Sequence, residues 1–201
     1  MFAKIKDGAI EATGTLKQLF PNTSFPAGVA DNDFKTENGL QDIVNAEQKD
    51  RKYYYVTQGD IALVDGVATQ QFTNTAMRLE DEDAKDSDGN QLYVQVWDAD
   101  FDNGEGNDPG KMVNTSEKLI NRGLKYTMNA QVKSQANSAL ASTDWMVIRK
   151  AERDVAIPSA TATYRASVIT ECARLETAIA GAANVDALKV VMQAQNWPET
   201  D

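Results

Sequence analysis

Apolar residues follow two periods along this chain, alternating with polar ones in its first half and recurring every three or four positions in its second. The change predicts an α+β fold, with a β-hairpin-rich N-terminal part followed by a C-terminal helical hairpin or small bundle. The expected divisions are a β-rich domain with short helices over residues 1–101, an acidic Gly-rich loop over 102–112 and a helical domain over 113–201. In the first part, MFAKIKDGAIEA alternates around Asp7-Gly8, a dipeptide suited to the positive φ angles of a tight hairpin turn. Thr15 to Phe20 fits one or two helical turns ended by Pro21, and the irregular PNTSFP that follows is expected to dock through Phe20 and Phe25. Asp31 to Asp33 offers another helix start, cut short by Asn38-Gly39. From Lys52 the runs KYYYVTQ, DIALV and VATQQFTNT read as strands, and Asp65-Gly66 predicts that Ile61 to Val64 pairs with Val67 to Phe72. A further strand is expected from Gln91 to Trp97.

The helical period begins after Pro109. Asn114 with Glu117 resembles a capping box, and Leu124, Met128, Val132, Ala136 and Leu140 form an apolar stripe. The spacing predicts a helix from about Thr115 to Ala141, with Gly123 as its weak point. Thr143 to Arg165 then reads as two amphipathic helices joined at a proline. Thr143 and Asp144 start the first ahead of Trp145 and Ile148, Val155 to Pro158 connects, and Ser159 caps the second. Tyr164, Val168, Cys172, Leu175 and Ile179 give that second helix one apolar stripe, which the long helix before it can cover. Gly181 is a C-cap, Asn184 caps a last helix through Met192, and Asn196-Trp197-Pro198 closes the sequence. The absence of a sustained heptad leaves a homo-oligomer possible without defining one.

Charge narrows the partners. A net charge of -10 in 201 residues opposes binding to nucleic acid or an anionic membrane, which need clustered Lys and Arg, so the expected partners are proteins. No run approaches the length of a membrane span, and Lys4, Lys6 and Asp7 interrupt the place a secretory apolar core would occupy. The chain contains no histidine, which removes Ser-His and Cys-His nucleophile pairs and His-containing metal sites together. Cys172, on an apolar stripe, reads as an inert buried thiol.

Two acidic stretches invite a calcium test, because Asp86, Asp88 and Asn90, and likewise Asp98, Asp100 and Asp102, stand at alternate positions. A hand-type loop needs glycine sixth and glutamate twelfth. Counting from Asp86 gives Gln91 and Trp97, and from Asp98 gives Asn103 and Pro109. Solvated turns account for these residues, with the Gly104 to Gly110 region as an exposed loop, and no metal or cofactor is expected. Tyr53 to Tyr55 suggests a stacking platform for bases or sugars, but with only Arg51 and Lys52 nearby an edge or interface strand is the better reading.

The ordered set Leu140, Thr143-Asp144-Trp145, Arg149, Glu152, Ile157-Pro158, Tyr164-Arg165 and Trp197-Pro198 resembles the tail assembly chaperone domain of tailed bacteriophages, found in tail-fibre assembly proteins and related tail components. IKDG, PNTSFP and LVDGV look similar to phage proteins carrying that domain; Leu79 to Lys111 lies outside the likeness. The resemblance implies a non-enzymatic protein with no catalytic residues, which binds other phage tail or fibre proteins and resides in the virion tail or, during assembly, in the host cytoplasm. Partner-contact candidates are Trp145, Arg149, Tyr164, Arg165 and Trp197. Trp145 and Tyr164 also fit core anchors, Arg149 and Glu152 a surface ion pair, and Trp197, near the end, has the best claim to a partner. The acidic insertion and long helix are additions to the family pattern and suit a structural component of tail, fibre or baseplate. A transient tail-fibre chaperone is the alternative, and a carbohydrate-binding or glycan-cleaving module using Tyr53 to Tyr55, Trp97 and the acidic loops is the second.

Overall fold

A computed structural model of the chain describes residues 1–100 and 110–199. Strands dominate the first half and helices the second, an α+β fold. The chain divides into two compact units, Met1–Ala76 and Met77–Asp201.

In the first unit, β1 (Phe2–Lys6) and β2 (Ala9–Gly14) form the hairpin expected at Asp7-Gly8, where φ is 52° and 77°. Thr15 starts α1 (Leu16–Leu19) with a reciprocal capping box to Gln18. A 3-10 turn at Pro26–Gly28 leads to α2 (Asn32–Glu37), capped by Asp31 through a 2.8 Å bond from the Phe34 N–H. β3 (Leu40–Asp42) then pairs with the free edge of β1, giving the order β2-β1-β3. Gly39 makes this return possible: its φ is +59°, and a side chain there would overlap the Ile5 carbonyl. PNTSFP docks as expected. Phe20, Phe25 and Phe34 pack edge to face, Phe34 with centroids 5.0 Å from both others, over Leu16, Ala30 and Leu40.

A second sheet has the order β4-β6-β5, from β4 (Val44–Asn45), β5 (Tyr54–Val64) and β6 (Val67–Ala76). Its hairpin turns at Asp65-Gly66, and the pairing runs well beyond the expected Ile61–Val64 core, with a bulge between Gln58 and Ile61. Gln41 ties the two sheets, donating to the Gly66 carbonyl at 3.0 Å and accepting from the Ala68 N–H at 2.9 Å. Tyr53 and Tyr54 are buried and only Tyr55 is exposed, so the triplet presents no shared stacking face.

The second unit contains β7 (Glu82–Asp83), β8 (Tyr93–Asp98), β9 (Lys111–Lys118) and β10 (Ile120–Asn121), followed by α3 (Leu124–Ala141), α4 (Asp144–Arg153), α5 (Ser159–Gly181) and α6 (Val185–Gln193). Here the expected helix start is corrected. Residues 111–118 are strand, and Asn114 and Glu117 lie on β9 rather than in a capping box. Val113 and Thr115 are β-branched, Asn114, Thr115 and Ser116 are weak helix formers, and β8 supplies an edge for the segment: Asn114 opposes Gln95, their side chains bonded at 3.0 Å, and the Thr115 hydroxyl donates to the Val94 carbonyl. Gly123 becomes the N-cap of α3, not an interior weak point. The helix's first N–H groups go to carbonyls from a distant segment, Leu124 to Arg78 at 2.9 Å and Lys125 to Leu79 at 3.0 Å, while the Gly123 N–H donates to Asp81.

The expected stripe of α3 is buried from Leu124 through Ala136 and packs on α5, where Val168, Leu175 and Ile179 are fully covered. Val185, Leu188 and Met192 of α6 close this core, and Asn184 caps α6 as the sequence suggests. Pro158, not Ser159, occupies the N-cap position of α5, and Ala182, not Gly181, its C-cap position: Gly181 is the last residue of the helix and does not take the left-handed conformation that a glycine cap uses. The expected Gly104 to Gly110 loop lies outside the described residues except for Gly110, which is buried against β8.

Candidate functional site

The corner where α3, α4 and α5 meet collects four of the five partner-contact candidates. An α-helix ends with carbonyls that have no partner within the helix, and α5 reaches back to satisfy those of α3. The Tyr164 hydroxyl donates to the Ala139 carbonyl at 3.3 Å. Arg165 donates from Nη1 to the Leu140 carbonyl at 3.0 Å and to the Thr143 hydroxyl at 2.6 Å, and its Nη2 pairs with Asp144 at 2.9 Å. Thr143 occupies the N-cap position of α4 as expected, but its hydroxyl accepts nothing from the first turn and instead turns back to donate to the Leu140 carbonyl. Tyr164 and Arg165 therefore fasten the corner from within, and both are partly buried.

Trp145 and Arg149 face the other way. Trp145 is 52% exposed and Ile148 57%, and Val147 on the same helix is exposed in part. The Arg149 guanidinium lies 4.7 Å from the Trp145 ring centroid, a cation-π contact in place of the expected pairing with Glu152. Arg149 Nε is buried without a hydrogen-bond partner. None of the ten residues of α4 is buried, so its apolar face is not filled by α3.

Trp197 belongs to another part of the unit. Its indole N–H donates to Gln195 at 3.0 Å and the ring is half-buried. The closing segment is pinned by Glu171, which accepts from the Asn196 N–H at 2.7 Å, and by Arg174, which donates to the Ala194 carbonyl at 2.9 Å. Glu171 and Arg174 form a bidentate pair, both bonds 2.7 Å, and this pair with the Asn196 N–H holds the Glu171 carboxyl below its usual range against the opposing effect of burial. Periodicity reading missed this pair because attention to the apolar stripe leaves polar i,i+3 partners aside.

A second exposed patch also escaped the sequence. Trp97 on β8 stands directly opposite Met112 on β9, 59% and 49% exposed. Alternation marked Trp97, but Met112 fell in the stretch assigned to loop.

Two titratable groups singled out in the sequence have shifted pKa values. Burial and neighbouring Glu176 push the Cys172 thiol up, away from thiolate. Asp86 spends its oxygens on a turn, accepting from the Asp88 and Asn90 N–H groups at 2.9 and 2.8 Å and from the Asn90 side chain, which lowers its pKa. In the second acidic stretch the Asp98 carboxylate accepts from the Asp100 N–H, and Asp102 lies outside the described residues. Among the described residues no group of three or more acidic or cysteine side chains is placed to hold a metal ion, and no helix is long and apolar enough to cross a membrane.

Together these features define an α+β protein in which α4 and the β8–β9 ribbon each carry exposed large apolar side chains. No protein-family model matches the chain, and no curated protein or solved structure is significantly similar to it.

Proposed function

We propose that this chain is a non-enzymatic bacteriophage protein, a structural component of the tail, fibre or baseplate region that works by binding other tail proteins. The observation that carries the reading is the outward face of α4, where Trp145, Val147 and Ile148 meet solvent on a helix that buries none of its own residues. Large apolar side chains grouped on one helix of an acidic protein are a binding surface, since a free surface gains nothing from them. The ordered Asp-Trp, Ile-Pro, Tyr-Arg and Trp-Pro motifs supply the phage context.

A transient tail-fibre assembly chaperone is the second reading, favoured by the same open face, because a site for a client protein stands empty between uses. Quantitative mass spectrometry of purified phage particles separates the two. A fixed copy number per particle supports the structural component; absence from particles, with loss of infectious particles on deletion of its gene, supports the chaperone. Particles complete and infectious without the protein overturn both.

A further inference from the structure

The α4 segment is held differently from every other long helix of its unit. Its neighbours α3, α5 and α6 interlock through Val132, Val168, Leu175, Ile179 and Leu188, all fully buried, and that core is complete without a residue from α4. No α4 residue is buried; Met146 and Arg149 are half-buried, and Val147, Trp145 and Ile148 are covered only in part. Hydrophobic burial, the main stabilising term for a helix in a folded protein, is therefore weaker here than in α3, α5 or α6.

A polar tie takes its place. Arg165 spans the corner, but of its three partners only Asp144 belongs to α4; the Leu140 carbonyl and Thr143 hydroxyl precede it. Release of Asp144 leaves the guanidinium still bonded to the end of α3, so separation strands no buried charge. The helix is interrupted at both ends of the segment. Ser142 and Thr143 alone separate α3 from α4, and Asp154 ends α4 at φ 52° before the Val155 to Pro158 connection.

We propose that α4 is a latched arm, opening as a unit at the Arg165–Asp144 clasp while the α3–α5–α6 core stays folded. Opening frees the covered side of α4 as well as its exposed apolar face. This device is independent of which partner the protein binds, and no partner is needed to detect it.

Hydrogen exchange of the full chain, followed by mass spectrometry, reads it directly. Amides of α4 from Ile148 to Arg153 are expected to exchange far faster than those of Met128 to Ala136 and Val168 to Ile179. Asp144→Asn and Arg165→Lys, which weaken the clasp from its two sides, are each expected to speed α4 exchange about threefold to tenfold and leave the core amides unchanged. Two variants are used because Asp144 also lies at the α4 N-terminus, where losing its charge weakens the helix by itself. Exchange of α4 in step with the core in the unaltered chain overturns the arm. Unchanged α4 exchange in Arg165→Lys, or equal acceleration of arm and core, overturns the clasp.

Discussion

At the scale of single residues, Glu171 shows how one polar group can hold a chain end. It is 8% exposed and satisfied by the Arg174 guanidinium and the Asn196 N–H, so removing the carboxylate leaves two donors facing a covered site. Glu171→Ala is expected to cost about 2–3 kcal/mol in urea unfolding. Its bonds lower the carboxyl below the ordinary 4.5, so the unfolded chain takes up its proton first as pH falls. The stability it contributes is complete above that value, erodes as pH falls through the lowered folded value, and is gone below it. Between pH 7 and 3 the unfolding midpoint of the unaltered chain should fall more steeply than that of Glu171→Gln. Parallel curves would refute a role for this carboxylate. Trp145 is the opposite case: it is half-exposed, so Trp145→Ala should change stability by about 0.5 kcal/mol, while, on the function proposed above, recovery of tail proteins on the immobilised chain should drop sharply. The motif residues were legible in sequence, but their division of labour was not. Arg165 and Thr143 stand 22 positions apart, and periodicity within one helix says nothing about a bond between two.

Among the elements, the tight turns and several caps that depend on near neighbours were read well, the caps expected at Ser159 and Gly181 excepted, and those defined by distant partners were not. Asp7-Gly8, Asp65-Gly66, Thr15, Asp31 and Asn184 act within a few residues of themselves, and each places its turn or cap as the sequence suggests. The start of α3 depends on Arg78 and Leu79 carbonyls more than forty positions earlier, and β9 exists because β8 pairs with it. Gly123 records that dependence. A methyl group on it would overlap the Leu79 carbonyl oxygen and stand 2.5 Å from that of Glu80. Gly123→Ala, which would strengthen an ordinary helix interior, is thus expected to destabilise by about 1–3 kcal/mol. Thermal unfolding decides the sign, and a raised midpoint would mean that the 79–81 segment does not clamp the α3 N-terminus.

For the whole molecule, the division between Ala76 and Met77 makes a prediction that the change of hydrophobic period does not. The period changes near residue 101, between β8 and β9, where a cut would part Trp97 from Met112 and Gln95 from Asn114. It would also remove the Arg78–Asp81 segment that receives the first N–H groups of α3. A cut after Ala76 breaks none of these bonds. It leaves the phenylalanine cluster and both sheets with residues 1–76, and the ribbon, the clamp and the helices with residues 77–201. Both pieces fall within the size range of independently folding domains, although the smaller has a correspondingly modest core. Expressed separately, 1–76 and 77–201 should each unfold cooperatively, and 77–201 should keep the helical circular dichroism of the intact chain. A fragment of 113–201 should lose much of that signal or its cooperativity, because the first N–H groups of α3 lose their acceptors in residues 78–81 and β9 loses its neighbour. If 113–201 proves as stable as 77–201, the helices need neither the ribbon nor the 79–81 clamp.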